Sequence, residues 1–354
     1  MPGQADSAAV FFKGVAKPRN MKSYLDLIHE TNNFPHSNTA EIESVKLSLP
    51  EGFYILVWKD EDGIYPIGYV LDRVVDKLRE VPEHVRGTME INPSDRTLQL
   101  FRFPTEGERT AMAARLVAYW RDQQTFKLLK GWRDELWPVY GRRGELLFSI
   151  ERAAMGLIGT MRYGAHMTAY VVEPSAPHGL LIWVPRRAAD KSTFPGMLDN
   201  TVAGGLMTDE EPSECIIREA DEEASLAQDV VRRNAREVGS ITYIYITDEK
   251  NVGEAGFIYP ECQWLYDIEL TAGLAPAPKD GEVDEFLLCD VNQINEYLAR
   301  GDFKNNCALV MIDFFIRHGI ITRENEPEIS LIQQRMHREL PFPGPHQAGW
   351  RRER

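Results

Sequence analysis

The chain alternates between short apolar runs closed by turn residues and stretches whose apolar positions recur every three to four residues. Residues 53–58 are a compact apolar run between Pro50-Glu51-Gly52 and Lys59-Asp60, which predicts a strand. A helical period starts at Met21 and continues through Tyr24, Leu25, Leu27 and Ile28 to the polar break Thr31-Asn32-Asn33. Val70, Leu71, Val74, Val75 and Leu78 predict a helix over 70–78, residues 97–103 a strand and residues 109–120 a helix. Residues 132–140 concentrate Trp132, Trp137 and Tyr140. From Glu145 the pattern becomes more regular. Strand-like runs at 163–173 and 179–185 flank Pro174-Ser175-Ala176-Pro177, and further strands are expected at 240–246, 257–270 and 283–289. Helices are expected at 292–300 and 307–318. The mixed order of elements predicts an α/β chain.

Length and composition divide this pattern. With 354 residues, about two domains are expected. The change of texture places an α+β N-terminal accessory domain at 21–142 and a second domain at 143–322, between a disordered tail at 1–20 and a poorly ordered tail at 323–354. An apolar content of 43% supplies a core. No run approaches the roughly 18 apolar residues of a membrane span. The net charge of −14 argues against a nucleic acid or an anionic membrane as main partner. Cys215, Cys262, Cys289 and Cys307 form no CxxC pair, which fits reduced thiols and a cytoplasmic protein. Lys13, Lys17, Arg19 and Lys22 face a single Asp6 in residues 1–22, so an organellar presequence is the alternative to a plain tail.

The segment 204–226 carries the chemistry. Pro212 suits a first helical turn, and Thr208 or Asp209 is the expected N-cap. Ile216, Ala220 and Ala224 form one apolar stripe. Glu219, Glu222 and Glu223 stand at i, i+3 and i+4, on one side of the helix. Like charges this close repel, and a divalent cation resolves the conflict. Hard carboxylate oxygens suit Mg²⁺ or Mn²⁺, which retain water and phosphate in their shells.

This window resembles the Nudix box: Gly, five residues, Glu, seven residues, Arg-Glu, an aliphatic residue, any residue, Glu-Glu, any residue, Gly and an aliphatic residue. Gly204, Glu210, Arg218, Glu219, Glu222, Glu223 and Leu226 match, whereas Ser225 stands at the late glycine and Ala220 at the aliphatic position. At a background of roughly 7% per position, six fixed matches arise by chance about once in 10⁷ windows, which sets aside a merely solvated acidic face. The resemblance implies an α/β/α sandwich with a mixed sheet. It implies Glu219, Glu222 and Glu223 as metal ligands, Arg218 and Glu210 as an orienting ion pair, and Gly204 and Gly205 as the close approach to phosphate. It also implies a later acidic base, for which Glu285 is the first choice and Glu282 the second. Arg186, Arg187 and Lys191 lie one loop before the box and could grip a terminal phosphate. Trp183 and Trp264 are candidates to stack on a heteroaromatic ring, and His166 reads as a core histidine.

Further segments are similar to one Nudix subfamily: 23–35, 132–141, 163–170, 195–200 and 303–308. It is the fungal and plant group labelled thiamine pyrophosphokinase-related, in which an N-terminal domain precedes the Nudix domain. In some fungal relatives a kinase domain follows, for which the stretch after residue 318 leaves no room, so hydrolysis rather than kinase activity is expected. The resemblance implies hydrolysis of damaged oxy and oxo forms of thiamine diphosphate to the monophosphate and phosphate. The alternatives are a Nudix hydrolase of a nucleoside-diphosphate-type substrate such as ADP-ribose, or a non-catalytic diphosphate-binding module. A Thr-Asn-Thr-Cys motif, needed by an isomerase of this fold, is absent from the sequence. The N-terminal domain either shapes the pocket for a small-molecule diphosphate or forms an oligomer interface, as in a homodimer.

Overall fold

In a computed structural model, the described residues are 21–35, 52–191, 193–248, 254–271, 273–347 and 349. The tail expected at 1–20 lies outside them. The chain opens with helix α1 (Tyr24–Thr31), started by a capping box between Ser23 and Asp26. Strands β1 (Phe53–Asp60) and β2 (Gly63–Leu71) form a hairpin, and β3 (Glu90–Asn92) and β4 (Thr97–Gln99) complete a four-stranded sheet in the order β2-β1-β4-β3. The helix expected over 70–78 begins only at Asp72, as α2 (Asp72–Glu80), because Val70 and Leu71 extend the hairpin opposite Tyr54 and Phe53. The strand expected at 97–103 is correspondingly short. Helix α3 (Glu106–Asp122) is capped by Thr105 and Glu108, and buries Met112, Ala113, Leu116, Val117 and Trp120.

A second hairpin, β5 (Leu136–Tyr140) with β6 (Leu146–Glu151), leads into the large sheet. That sheet has the order β10-β11-β7-β8-β12, with β9 added along β7. Its strands are β7 (Arg162–Val172), β8 (Leu180–Arg187), β9 (Val202–Gly205), β10 (Arg236–Ile246), β11 (Ile258–Glu269) and β12 (Val283–Asp290). The β7–β11 pair is parallel and the other pairs are antiparallel, so the sheet is mixed.

Side chains alternate across this sheet with period two, and the two faces bury different partners. Ala165, Met167 and Ala169 of β7 join Cys215, Ile216, Ile217, Ala220 and Ala224 of helix α4 (Pro212–Ala224), in a core continuous with the four-stranded sheet. Helix α5 (Gln228–Asn234) contributes Val231 to the same core. The opposite face carries α6 (Val291–Arg300) and α7 (Asn305–Arg317), packed with Ile182, Val184, Ile241 and Leu265. Leu27 and Ile28 of α1 belong to this second core. A mixed sheet between helical layers is the α/β/α architecture expected from the resemblance.

Residues 323–347 differ from the expectation of a loose tail. Helix α8 (Ile329–Met336) buries Ile329, Ile332 and Met336, and Leu340 and Phe342 are buried beyond it. Phe342 packs edge-on against Tyr69 at 4.8 Å, and Arg338 donates to Asn32 Oδ1 at 2.9 Å and to the Phe34 and Pro35 carbonyls. Composition hid these anchors: Pro, Arg and Gln outnumber the few apolar residues that decide the packing. Ile332→Ala should therefore cost about 2–4 kcal/mol, read as a lower denaturant midpoint with an unchanged slope. A surface residue in a loose tail would give no shift.

Candidate functional site

The box segment folds as strand, turn and helix. Gly205 lies opposite Gly164, and Gly204 opposite Ala165, in the β7–β9 pair. Paired residues share a face, so Gly204 faces α4 and Gly205 faces the other side. A Cβ on Gly204 would lie 2.4 Å from Cγ and Oε1 of Glu219, so this glycine lets the carboxylate pass against the strand backbone. Helix α4 starts after N-cap Glu211 with Pro212 in its first turn, not at Thr208 or Asp209. Thr208 instead ties the turn to the β5–β6 hairpin, through its N–H to the Leu136 carbonyl at 2.8 Å and its hydroxyl to Ser149 at 2.9 Å. The helix exits through Ser225 in the left-handed region at φ 53°, where glycine is favoured. Its hydroxyl donates to the Ala277 carbonyl at 2.9 Å.

One guanidinium organises the acidic side of α4. Arg218 donates Nε and Nη2 to Glu210 at 2.8 and 3.1 Å, and Nη1 to Glu219 at 2.8 Å and Glu222 at 3.2 Å. Glu223 turns inward and accepts from the Ala203 N–H at 3.4 Å. Burial pushes the Glu219 carboxyl up to about 7 despite Arg218, with the Glu222 charge adding to the rise. Burial also drives Glu223 well above the usual carboxylate range, reinforced by the charges of Glu219, Asp199 and Glu282. Glu222 remains half exposed. Buried, mutually repelling hard-oxygen donors beside a glycine cradle fit a divalent cation. Glu219, Glu222 and Glu223 are the residues that would hold it.

The other expected site residues are distributed unevenly. Glu282 is half-buried, and although burial alone would raise its carboxyl, the ion pair with Lys191 and the charges of Arg133 and Arg187 hold it below the ordinary range. Glu285 is more exposed and pairs with Arg186 at 2.9 Å. Arg187 donates to Asp199 at 2.6 Å and to the Thr193 and Phe194 carbonyls. Arg186, Arg187 and Lys191 thus each have an acidic partner within the protein, and Arg186 and Lys191 hold the two base candidates.

Across β9 from the box helix lies a cleft of about 310 Å³ lined by Trp137, Tyr163, Phe194, Tyr243, Tyr245 and Tyr259, with Arg133, Arg152, Arg162 and Lys304 as its cations. Arg152 also acts on Glu219 and Arg133 on Glu282, so residues of the first 160 reach the box chemistry. Neither Trp183 nor Trp264 lines this cleft; Trp264 lines a second one beside Glu210 and Tyr163. The aromatic cluster at 132–140 was the signal for Trp137. Polar Glu261 and Gln263 inside the apolar run 257–270 were the signal for the cleft floor.

His166 is buried and bonded through Nδ1 to Asn200 at 2.8 Å, as a core histidine should be. It stands with Asp199 and Cys307 in a group whose ligating atoms all lie within 4.8 Å of one another. Asp199 is already occupied by Arg187, by Lys304 at 3.9 Å and by the Cys307 thiol. Two adjacent cations disfavour a metal there.

Comparison with known proteins fits this geometry. Residues 164–307 match the NUDIX domain, and residues 63–162 match a domain of unknown function, DUF4743. The chain is 34% identical to an uncharacterized protein of Saccharomyces cerevisiae, over 91% of this chain and 92% of that one. It is 32% identical to the chloroplastic Nudix hydrolase 20 of Arabidopsis thaliana, over 77% of this chain and 71% of the relative. Among solved structures it is similar to DR0079 from Deinococcus radiodurans, with 19% identity and a TM-score of 0.37, covering 50% of this chain and 98% of that one. The chain belongs to the Nudix hydrolase family. It is a hydrolase of phosphoanhydride bonds, of a family that typically uses divalent metal. No helix among the described residues is long and apolar enough to cross a membrane.

Two outcomes follow from this geometry. Gly204→Ala should displace Glu219, lowering kcat by about 100-fold or more and weakening Mn²⁺ binding in titration calorimetry while leaving the melting temperature within a few degrees. Burial holds the His166 imidazole down at about 4, with Lys304 adding to the depression. The unfolded chain therefore binds the extra proton first. The neutral form's stabilisation is complete above about pH 6.5 and is lost as pH falls towards 4, on the order of 3 kcal/mol. His166→Gln should flatten that part of the stability–pH curve in urea melts.

Proposed function

We propose that this protein is a Mg²⁺-dependent pyrophosphohydrolase of damaged thiamine diphosphate, acting on the oxy and oxo forms in metabolite repair. The observation that carries the reading is a pair of buried, charge-disfavoured carboxylates, Glu219 and Glu223, packed beneath the strand that lines an aromatic, cation-rimmed cleft. The aromatic walls suit a flat heterocycle and the cations suit a diphosphate. The subfamily resemblance at 23–35, 132–141, 163–170, 195–200 and 303–308 supports the thiamine moiety. A division near residue 142, in the turn of the β5–β6 hairpin, then gives an N-terminal accessory unit that supplies Trp137 and a Nudix unit that supplies the carboxylates.

In this mechanism Arg218 and Glu210 fix the helix, and Glu219, Glu222 and Glu223 would hold the cation. When bound, that ion neutralises phosphate charge and acidifies water. Glu282 stays ionised at neutral pH and lies close enough to Glu223 to raise its pKa, so it is the better placed base. It accepts a proton from the attacking water. The water oxygen bonds to the terminal phosphorus, the bridging P–O bond breaks, and the bridging oxygen leaves with the monophosphate. Arg133 and Arg152 offset the charge that develops on the phosphoryl oxygens. The chloroplastic names of the plant relatives, with the basic residues of 1–22, support an organellar address as the alternative to the cytoplasm.

Glu222→Gln and Glu223→Gln should each cut turnover by about 100-fold or more with the fold retained by circular dichroism. The deciding assay is product analysis on native, oxy and oxo thiamine diphosphates with and without Mg²⁺. Monophosphate and phosphate from the damaged forms, at higher kcat/KM than from the native one, are expected. Hydrolysis of ADP-ribose alone would move the substrate to the nucleoside-diphosphate class.

A further inference from the structure

The strands that floor the cleft bring their polar side chains to one face. Arg162, Gly164 and His166 of β7 alternate on that face, with Glu261 and Gln263 of β11 beside them and Tyr243 of β10 beyond. Arg162, Glu261, Gln263 and Tyr243 form a connected network. Arg162 pairs with Glu261 Oε1 at 2.9 Å, and the Tyr243 hydroxyl donates to Glu261 Oε2 at 2.5 Å. Gln263 Nε2 donates to the same Oε2 at 3.0 Å and to the Tyr243 oxygen at 3.2 Å. That fixes the amide: a flipped Gln263 would aim its oxygen at a carboxylate oxygen. Gln263 Oε1 is therefore the atom turned away from the network, buried and without a partner in a residue only 5% exposed.

The same wall holds two more polar atoms without partners, the indole N–H of Trp137 and Nε of Arg162. A pair of directly opposed glycines makes room for Gln263 and Trp137 over the strand pair. A Cβ on Gly164 would meet Gln263 Oε1 at 2.1 Å, and one on Gly205 would meet the Trp137 ring at 2.2 Å. The Gln263 amide oxygen and the Trp137 ring thus lie over two facing glycines whose Cβ positions would be roughly 5 Å apart, and both residues line the cleft. Unpaired buried polar atoms are costly, and a ligand edge that pairs both relieves that cost.

We propose that Gln263 and Trp137 form the recognition subsite for the substrate's nitrogen heterocycle, with Gln263 Oε1 accepting an N–H from the ring edge and Trp137 Nε1 donating to a neighbouring ring acceptor. This rests on the cleft being the substrate site, and it names the chemical class read there: a diphosphate whose ring offers an N–H beside a ring nitrogen or oxo group. A site built to pair such an edge rejects rings that lack it far more strongly than an apolar slot would.

The test uses the full chain with Mg²⁺ and oxo thiamine diphosphate, or ADP-ribose if the wild type cleaves only that, so a wrong substrate and a wrong subsite fail separately. Gln263→Met and Trp137→Phe keep volume and aromaticity while removing one polar atom set each, and circular dichroism melts report whether each folds. Each should raise KM about tenfold or more with kcat within about threefold, the signature of lost ground-state binding. On the unmodified enzyme, benzyl diphosphate, an aromatic diphosphate with no ring nitrogen, should inhibit with a KI at least tenfold above the substrate's KM. The proposal is overturned if both folded variants keep KM within twofold of wild type, or if benzyl diphosphate competes as well as the substrate binds.

Discussion

A helix turn with three carboxylates is held in register by Arg218, whose guanidinium touches Glu210, Glu219 and Glu222 at once. The arrangement has a cost. Glu219 and Glu223 are drawn out of water against β9, where burial and mutual repulsion disfavour their charges. A planar, permanently charged fork is suited to this because it reaches three carboxylates in different directions without losing its own proton. Gly204 removes the Cβ that would block Glu219, and Pro212 and Ser225 set where the helix begins and ends. Buried charges elsewhere, such as Asp199 beside Arg187, have a partner of opposite sign, whereas Glu219 and Glu223 also repel one another, which a cation would relieve.

Much of this was legible in the sequence because it follows local rules. The carboxylate spacing, the apolar stripe of Ile216, Ala220 and Ala224, and the long strands of the large sheet are all periodicities within one element. The Arg218–Glu210 pair was legible through the family pattern. What was not legible depends on distant chain segments meeting. Trp137 and Arg152 reach the box glycines and Glu219 only because the β5–β6 hairpin docks through Thr208. Pairing also reshaped the reading of the basic loop: Arg186, Arg187 and Lys191 look like free phosphate hooks in sequence, yet each meets an acidic side chain brought from elsewhere. The C-terminal segment was misread for a related reason, since a handful of well-placed apolar residues outweighs a polar average.

The two faces of the large sheet divide labour. One face meets the box helix and shares its core with the four-stranded sheet, while the other carries the polar network of Arg162, Glu261, Tyr243 and Gln263. Glycine at both Gly164 and Gly205 keeps the intervening strand pair thin on the cleft side. The carboxylate beneath Gly204 and the polar network of the cleft therefore lie on opposite sides of the same strand pair.

The anchoring of Phe342 on Tyr69, and of Arg338 on the backbone of Phe34 and Pro35, has a bearing on biosynthesis. A ribosome delivers β1 and β2 more than 250 residues before the segment that clasps them. Until that clasp emerges, Tyr69 lacks its Phe342 partner and the Phe34 and Pro35 carbonyls lack Arg338. The early sheet is thus completed by contacts that are made late in synthesis.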